Sequence, residues 1–171
     1  MRGPIVLVGM MGSGKTSVGL ALAERLGWPH VDLDQALERR WRQSIPDQFE
    51  RVGETGFRKR ESAQLVRELG RRCVLSTGGG VVTQALNRRV LQRHCTVYLQ
   101  APAVALAARL TGVQASKRPL LKGKRPLEVL KRLHKVRGAW YRSVAALTVR
   151  AAQGTPAEVA DRIFRRCQEL G

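Results

Sequence analysis

The clearest chemical motif in the chain is the segment Gly9–Thr16, near the amino terminus. Its sequence, GMMGSGKT, has the pattern G-x-x-x-x-G-K-[ST] that is typical of a phosphate-binding loop. The apolar run Ile5–Val8 precedes it as a predicted buried strand, and apolar residues at helical spacing follow it, which is the context that this motif requires. A glycine-rich turn alone would not require lysine followed by threonine. The segment therefore predicts a binding site for a nucleoside triphosphate.

Each residue type in this loop has a physical role. Glycines let backbone N–H groups face a phosphate without an intervening Cβ, and the N-terminus of the following helix adds partial positive charge. The Lys15 ammonium is expected to reach the β- and γ-phosphates, and the Thr16 hydroxyl to coordinate Mg²⁺. The predicted nucleotide contacts in the loop are Gly12, Ser13, Gly14, Lys15, Thr16 and Ser17.

Two carboxylates, Asp32 and Asp34, flank the end of the next predicted strand, His30–Leu33. One of them can hold Mg²⁺ through water, and the other can accept a proton from a hydroxyl group. Asp34 could instead cap the helix that follows. The spacing alone does not decide between these two roles.

A second set of residues with chemical potential follows further along the chain. Arg58 and Glu61 lie on one face of a predicted helix, where a surface ion pair is the default interpretation. The triplet Gly78–Gly80 follows a predicted buried strand and would let a ligand approach the backbone closely, although a tight turn would also use one or two of these glycines.

The stretch from residue 112 to residue 124 is basic and has glycines near both ends. It could form a mobile lid that carries an arginine onto a transferring phosphate. It could equally be a disordered basic loop.

Strands and helices alternate along the whole chain. Strands are predicted at residues 5–8, 30–33, 73–76, 96–99 and 147–149, and helices at 36–41 and 54–69 with a turn at Ser44–Pro46 between them. The last helix begins with a capping box, Thr155-Pro156-Ala157-Glu158. This order predicts an α/β fold with a parallel sheet covered on both faces and ligands at the carboxyl ends of the strands. With no repeat or linker visible, residues 1–171 are expected to form a single domain.

Composition limits the class of protein. A chain of 171 residues that is 43% hydrophobic can bury one substantial core, and it has no apolar stretch long enough to span a bilayer. The first predicted strand begins so early that no signal peptide is expected. Cys73, Cys95 and Cys167 have no metal-type spacing, which favours reduced thiols in the cytoplasm.

The formal charge of +18 is extreme. Such a charge can indicate a nucleic-acid partner, because basic proteins release counterions from polyphosphates. Here the arginines are spread over many segments, without a basic tail and with few aromatic residues between them. We therefore favour a solvated basic surface around a site for an anionic substrate.

Taken together, these residues resemble the shikimate kinase family over nearly the whole chain. The parallels are the phosphate loop, Asp32-x-Asp34, Gly53-Glu54-x-x-Phe57-Arg58-x-x-Glu61, the Gly78–Gly80 triplet and Arg118-Pro119-Leu120-Leu121. The resemblance implies a single-domain P-loop kinase fold with a five-stranded parallel sheet in the order 2-3-1-4-5, helices on both faces and a mobile lid. The substrate region would span about 32–61 and the lid about 112–124.

The resemblance also implies an activity and roles for individual residues. The family transfers the γ-phosphoryl group of ATP to the 3-hydroxyl of shikimate, with Mg²⁺, in the pathway to chorismate and the aromatic amino acids. On the substrate side, the resemblance implies that Asp34 contacts the ring hydroxyls as general base, that Arg58 and Arg137 clamp the carboxylate, that Glu61 holds Arg58, and that Gly79 offers its backbone. On the nucleotide side, it implies that Arg118 closes onto the phosphates and that Thr16 and Asp32 bind the metal. Arg109 and Gln153 are candidates for adenine contact.

Two other functions remain as alternatives. A related small-metabolite kinase, such as a gluconate kinase, would also need arginines for a carboxylate. A basic, nucleotide-regulated nucleic-acid-binding protein would explain the charge. The leading interpretation predicts a monomer that acts on shikimate and ATP, with no membrane and no specific nucleic-acid partner.

Overall fold

The structure is a computed structural model that describes residues 3–110, 121 and 125–169. One parallel sheet forms its centre, with the strand order β2-β3-β1-β4-β5. The strands are β1 (Ile5–Val8), β2 (His30–Asp32), β3 (Val74–Ser76), β4 (Cys95–Gln100) and β5 (Leu147–Arg150). The predicted fold class, with its five-stranded order, is therefore confirmed.

Helices connect the strands and cover both faces of the sheet. In chain order they are α1 (Lys15–Leu26), α2 (Leu33–Trp41), α3 (Ile45–Leu69), a 3₁₀ turn (Val81–Thr83), α4 (Ala85–Leu91), α5 (Ala103–Arg109), α6 (Pro126–Val144) and α7 (Pro156–Glu169). Among the residues described, no helix is both long enough and apolar enough to cross a bilayer.

The central strand β1 is buried on both faces because hydrophobic clusters lie on either side of the sheet. Val6 and Val8 join the cluster that includes residues of α2, α3 and α6. Ile5 and Leu7 point the other way, into the cluster formed with α1 and α7. A strand that is buried on both faces reads as a continuous apolar run, which is why this one was visible in the sequence.

Helix α3 begins earlier than the sequence predicted. The expected turn at Ser44–Pro46 is instead a helix N-terminus, since the Ser44 hydroxyl accepts a hydrogen bond from the Asp47 N–H at 3.2 Å and proline is tolerated in a first turn. The helix is interrupted at Gly53, whose φ of 66° lies in the left-handed region. The predicted start near residue 54 corresponds to the second half of this interrupted helix.

Helix α2 begins at Leu33, three residues before its predicted start, and the predicted strand boundaries agree with the structure to within one residue. The capping box at the start of α7 is present: the Thr155 N–H donates to the Glu158 carboxylate at 2.7 Å, and the Glu158 N–H donates to the Thr155 hydroxyl at 3.3 Å. All five strands run in parallel. Their carboxyl ends therefore meet along one edge, where the polar segments that follow β1, β2 and β3 lie close together.

Candidate active site

The phosphate loop follows the carboxyl end of β1 and leads directly into α1. Gly12 and Gly14 have φ values of 78° and 85°, which glycine adopts at little cost and other residues rarely adopt. The Lys15 ammonium is buried and donates hydrogen bonds to the carbonyl oxygens of Gly9 and Met10 at 2.9 and 2.8 Å. These bonds keep a positive charge inside the loop, next to the N-terminus of α1.

Asp32 joins the phosphate loop to α2. One of its carboxylate oxygens accepts a hydrogen bond from the Thr16 hydroxyl at 2.8 Å. The other accepts from the N–H groups of Asp34 and Gln35 at 3.0 and 3.2 Å, so Asp32 is the N-cap of α2. The alternative in which Asp34 caps this helix is therefore wrong. The strand ends at Asp32, one residue earlier than predicted, and Asp34 lies in the first turn of the helix.

A polar pocket surrounds the loop. Its volume is about 240 Å³, and its walls are Met11, Gly12, Gly14, Lys15, Thr16, Ser17, Asp32, Asp34, Thr77 and Gly79. Of the predicted nucleotide contacts in the loop, Ser13 alone does not line this pocket; it is buried, with its hydroxyl 3.4 Å from the Lys15 ammonium. The pocket combines N–H groups, an ammonium and carboxylates, which suits a phosphate chain with a bound cation.

Arg58 is not a surface residue, contrary to the default interpretation of its sequence. It is 6% exposed, and its guanidinium donates to the Glu61 carboxylate at 2.8 Å. It also lies against the rings of Phe49 and Phe57, 5.7 and 5.3 Å from their centroids. Its Nε is buried without a partner among the described residues. A buried guanidinium with a donor left over is suited to an anionic ligand.

Glu61 has an unusual acidity in this setting. Burial raises the pKa of its carboxyl from 4.5 to about 7, although the charge of Arg58 opposes the shift. The nearby Asp34 charge raises the pKa further, and Arg137 lowers it. Glu61 therefore changes charge near neutral pH, beside the arginine that it orients.

The glycine triplet is needed because neighbouring atoms leave little room for a Cβ. Backbone conformation does not require glycine there, since none of the three residues has a positive φ. A Cβ on Gly78 would lie 2.9 Å from a carboxylate oxygen of Asp34 and from one of Glu61. A Cβ on Gly80 would overlap the guanidinium of Arg58. The triplet thus lets three ionisable side chains, those of Asp34, Arg58 and Glu61, pack against one strip of backbone.

Arg137 and Tyr141 reach the same strip from α6. The carbonyl oxygen of Gly79 accepts hydrogen bonds from Arg137, at 3.0 Å, and from the Tyr141 hydroxyl. Tyr141 is fully buried and its ring stacks on that of Tyr98, with centroids 5.1 Å apart. Burial raises the pKa of Tyr141, which keeps its hydroxyl protonated as a donor.

Sequence reasoning missed Tyr141. A signal was present, because residues four apart on a helix share a face and Arg137 was already a candidate. The sequence could not show that the hydroxyl meets a carbonyl 62 positions away.

These groups line a second pocket that adjoins the first. Its walls are Met11, Asp34, Ile45, Phe49, Phe57, Arg58, Glu61, Gly78, Gly79, Gly80 and Arg137. The structure thus brings together all the residues predicted to bind substrate. Asp34 lines both pockets, as Met11 and Gly79 do, and of these three residues it alone carries a carboxylate.

The two candidates for adenine contact line neither pocket. Arg109 donates to the carbonyl oxygens of Gly12 and Ala151, at 3.4 Å each, and so bridges the phosphate loop and the segment after β5. Gln153 lines a separate cleft with residues that include Pro102 and His134. Arg118 and the predicted lid, apart from Leu121, lie outside the described residues.

Comparison with known proteins places this arrangement in a family. The family model described as shikimate kinase matches residues 11–168. The shikimate kinase of Enterococcus faecalis is 39% identical over 167 residues, which cover 96% of this chain and 98% of the relative. That of Acinetobacter baylyi is 46% identical over 163 residues, which cover 94% and 89%.

Solved structures agree with the sequence comparisons. The shikimate kinase of Acinetobacter baumannii in complex with shikimate superposes with a TM-score of 0.93 at 40% identity, over 98% of this chain and 94% of that one. A gluconokinase from Sinorhizobium meliloti has a TM-score of 0.58 at 19% identity, which shows a shared fold alone. The chain belongs to the shikimate kinase family.

Proposed function

We propose that this protein transfers the γ-phosphoryl group of ATP to the 3-hydroxyl of shikimate, giving shikimate 3-phosphate and ADP in the pathway to chorismate and the aromatic amino acids. The observation that carries the proposal is the position of Asp34 between two pockets, one lined by a phosphate loop and the other by two buried arginines. A relative at 40% identity was solved in complex with shikimate.

The phosphate pocket is the proposed ATP site. Backbone N–H groups of residues 12–17 would hold the phosphates, and the Lys15 ammonium would exchange its backbone carbonyls for the β- and γ-phosphates. The Thr16 hydroxyl oxygen and an Asp32 carboxylate oxygen lie 2.8 Å apart, and oxygen atoms of these kinds are the ligands that Mg²⁺ prefers. No group of three or more His, Cys, Asp or Glu side chains suited to a metal occurs among the described residues, so phosphate oxygens would complete the shell. The cation would neutralise phosphate charge.

The second pocket is the proposed shikimate site. The buried guanidinium groups of Arg58 and Arg137 would bind the carboxylate through charge-assisted hydrogen bonds, and the unpartnered Nε of Arg58 is one donor for it. Glu61 would act as a positioning residue, because its carboxylate fixes the Arg58 guanidinium. The backbone of Gly79 lines this pocket and would contact the ring, while its carbonyl oxygen holds Arg137 in place.

In the proposed reaction, Asp34 orients the 3-hydroxyl and accepts its proton. The hydroxyl oxygen then forms a bond to the γ-phosphorus while the bond from that phosphorus to the bridging β–γ oxygen breaks, and ADP departs. Lys15 would stabilise the charge that develops on the transferring group. Arg118, which lies outside the described residues, is proposed to add a second positive charge there, as the family resemblance implies.

A coupled assay for ADP release tests this function. Purified protein with ATP and Mg²⁺ should release ADP with shikimate, with a product that is phosphorylated once, and much more slowly with gluconate or nucleoside monophosphates. Gluconate is the informative competitor because it also carries a carboxylate. Faster turnover with gluconate than with shikimate would overturn the substrate assignment while leaving the kinase chemistry in place.

The same proposal includes a monomeric, cytoplasmic protein without a specific nucleic-acid partner. Its basic surface would steer anionic substrates rather than bind polynucleotides. Size-exclusion chromatography and retention on a DNA column at physiological salt test these points. Strong retention under that condition would support a nucleic-acid partner instead.

A further inference from the structure

Two of the three cysteines meet far from the active site. The sulfur of Cys95, at the start of β4, lies 3.5 Å from the sulfur of Cys167, near the end of α7. We propose that this pair is a site of thiol oxidation, at which a peroxide converts the two thiols into a disulfide that joins the sheet to the C-terminal helix.

The packing of the core brings the two residues together. Cys95 continues the row of alternate β4 residues, Val97 and Leu99, that faces the cluster beneath α1 and α7. Cys167 lies one helical turn beyond Ile163 on the buried face of α7. The inward-facing residues of β4 and the buried face of α7 therefore bring Cys95 and Cys167 into contact. Cys73 belongs to the cluster on the other side of the sheet and takes no part in the pair.

The two thiols differ in a way that suits stepwise oxidation. Cys95 is half-buried, whereas Cys167 is fully buried. The hydrogen bond with Cys167 lowers the pKa of the Cys95 thiol, although burial opposes this, and the same bond raises the pKa of Cys167. The more accessible sulfur is thus the more readily ionised, and the thiolate is the form that attacks an oxidant.

The chemistry balances with hydrogen peroxide as the oxidant. The Cys95 thiolate attacks one peroxide oxygen, the O–O bond breaks, and hydroxide leaves, giving a sulfenic acid. The Cys167 sulfur then attacks the Cys95 sulfur, the S–O bond breaks, and the departing hydroxide takes the Cys167 proton as water. In total, two thiols and one peroxide give one disulfide and two waters. The sulfurs need to close from 3.5 Å to about 2.05 Å.

The distance of the cysteine pair from the phosphate loop indicates what a disulfide there would do to the protein. Cys95 is aligned with Ile5, the first residue of β1, whereas the phosphate loop follows Val8 at the other end of that strand. Ile5 and Val8 are three residue steps apart along the strand, a distance of about 10 Å. The bond would join residues 72 positions apart without touching the pockets. It should therefore stabilise the fold and leave catalysis unchanged.

Oxidation of the full-length reduced protein tests the proposal. After treatment with hydrogen peroxide, thiol titration in denaturant should fall from three groups to one, the mass should drop by about 2 Da, and peptide mapping should recover Cys95 linked to Cys167. The midpoint of thermal unfolding should rise by about 5–10 °C and return on reduction with dithiothreitol. The turnover number should stay the same.

Variants make the result specific. C73S should form the same bond and titrate from two thiols to none, whereas C95S should retain two titratable thiols after the same treatment. Three surviving thiols in the unmodified protein, a stable sulfinic acid at Cys95, or a bond that includes Cys73 would each overturn the proposal. Peptide mapping of the unmodified protein gives this answer even if a cysteine variant folds poorly.

Discussion

Replacing Tyr141 with phenylalanine would remove a single hydroxyl from behind the proposed shikimate pocket. The ring would keep its place in the core, stacked on Tyr98. What disappears is the hydrogen bond to the carbonyl oxygen of Gly79, together with a weaker contact of 3.6 Å to the sulfur of Met10. That carbonyl also accepts a bond from Arg137 at 3.0 Å, so the substitution tests how the backbone strip and the arginine are held together.

The expected cost follows from what remains after the change. Because the Arg137 bond stays, the Gly79 carbonyl is not left unsatisfied, and the loss is the net value of one buried hydrogen bond, about 1 kcal/mol. At 1.4 kcal/mol per decade, this corresponds to about a fivefold change in an equilibrium constant. Gly79 and Arg137 both line the proposed shikimate pocket, and shikimate would bind the arrangement that this hydrogen bond holds. Binding must then restore that arrangement in the variant, so the cost should appear in the affinity for shikimate.

Steady-state kinetics with each substrate varied in turn would measure the effect. Y141F should raise KM for shikimate about fivefold while KM for ATP changes less than twofold. The matched control is Y98F, which removes a hydroxyl from the stacked, equally buried ring and should leave both constants unchanged. If both variants change both KM values alike, the tyrosines act through packing, and the hydrogen bond to Gly79 does not position Arg137.

Four further predictions concern the site residues. K15M should lower kcat by about 10²–10³-fold in a folded protein, because the ammonium acts on the transferring phosphate; unchanged kcat would remove Lys15 from the mechanism. R58A should raise KM for shikimate by one to two decades, about 1.5–3 kcal/mol, and equal effects on ATP would indicate a structural role. D34N should melt within about 2 °C of the parent, because Asp32 and not Asp34 is the N-cap of α2. It should nevertheless lose most of its kcat while its affinity for ATP stays the same. A folded variant that retains kcat would exclude the role of Asp34 as general base. Finally, the pKa of Glu61 is about 7 in the folded protein and 4.5 in the unfolded chain, so the folded protein binds this proton more tightly. The free energy of unfolding should therefore fall by about 3 kcal/mol as the pH rises from 4.5 to above 7. Denaturant titrations of the parent and E61Q at pH 4.5 and 7.5 would measure this slope, and an equal slope in both would contradict it.

The phosphate loop and the strands could be predicted from the sequence, because both depend on local patterns. A motif of eight consecutive residues needs only its own backbone to form a nest for phosphate. A strand buried on both faces must be apolar throughout, as Ile5–Val8 is, whatever lies next to it. The order of the strands came from the family resemblance, since periodicity alone does not specify which strands are neighbours.

Roles that depend on residues distant in the chain could be assigned only from the fold. The sequence does not distinguish the roles of Asp32 and Asp34. In the fold, Asp32 accepts a hydrogen bond from Thr16 and is the N-cap of α2, whereas Asp34 lines both pockets. The spacing of Arg58 and Glu61 fits a surface ion pair, yet both side chains are buried where they pack against the glycine triplet. This burial raises the pKa of Glu61 to about 7.

Tyr141 and the Cys95–Cys167 pair show the same dependence over longer separations. The Tyr141 hydroxyl meets a carbonyl 62 positions away, and the two sulfurs meet across 72 positions. Propensity and spacing act over a few residues, whereas burial, pKa and hydrogen-bond partners arise where elements from different parts of the chain share one low-dielectric interior. Only the folded chain determines which groups share that interior.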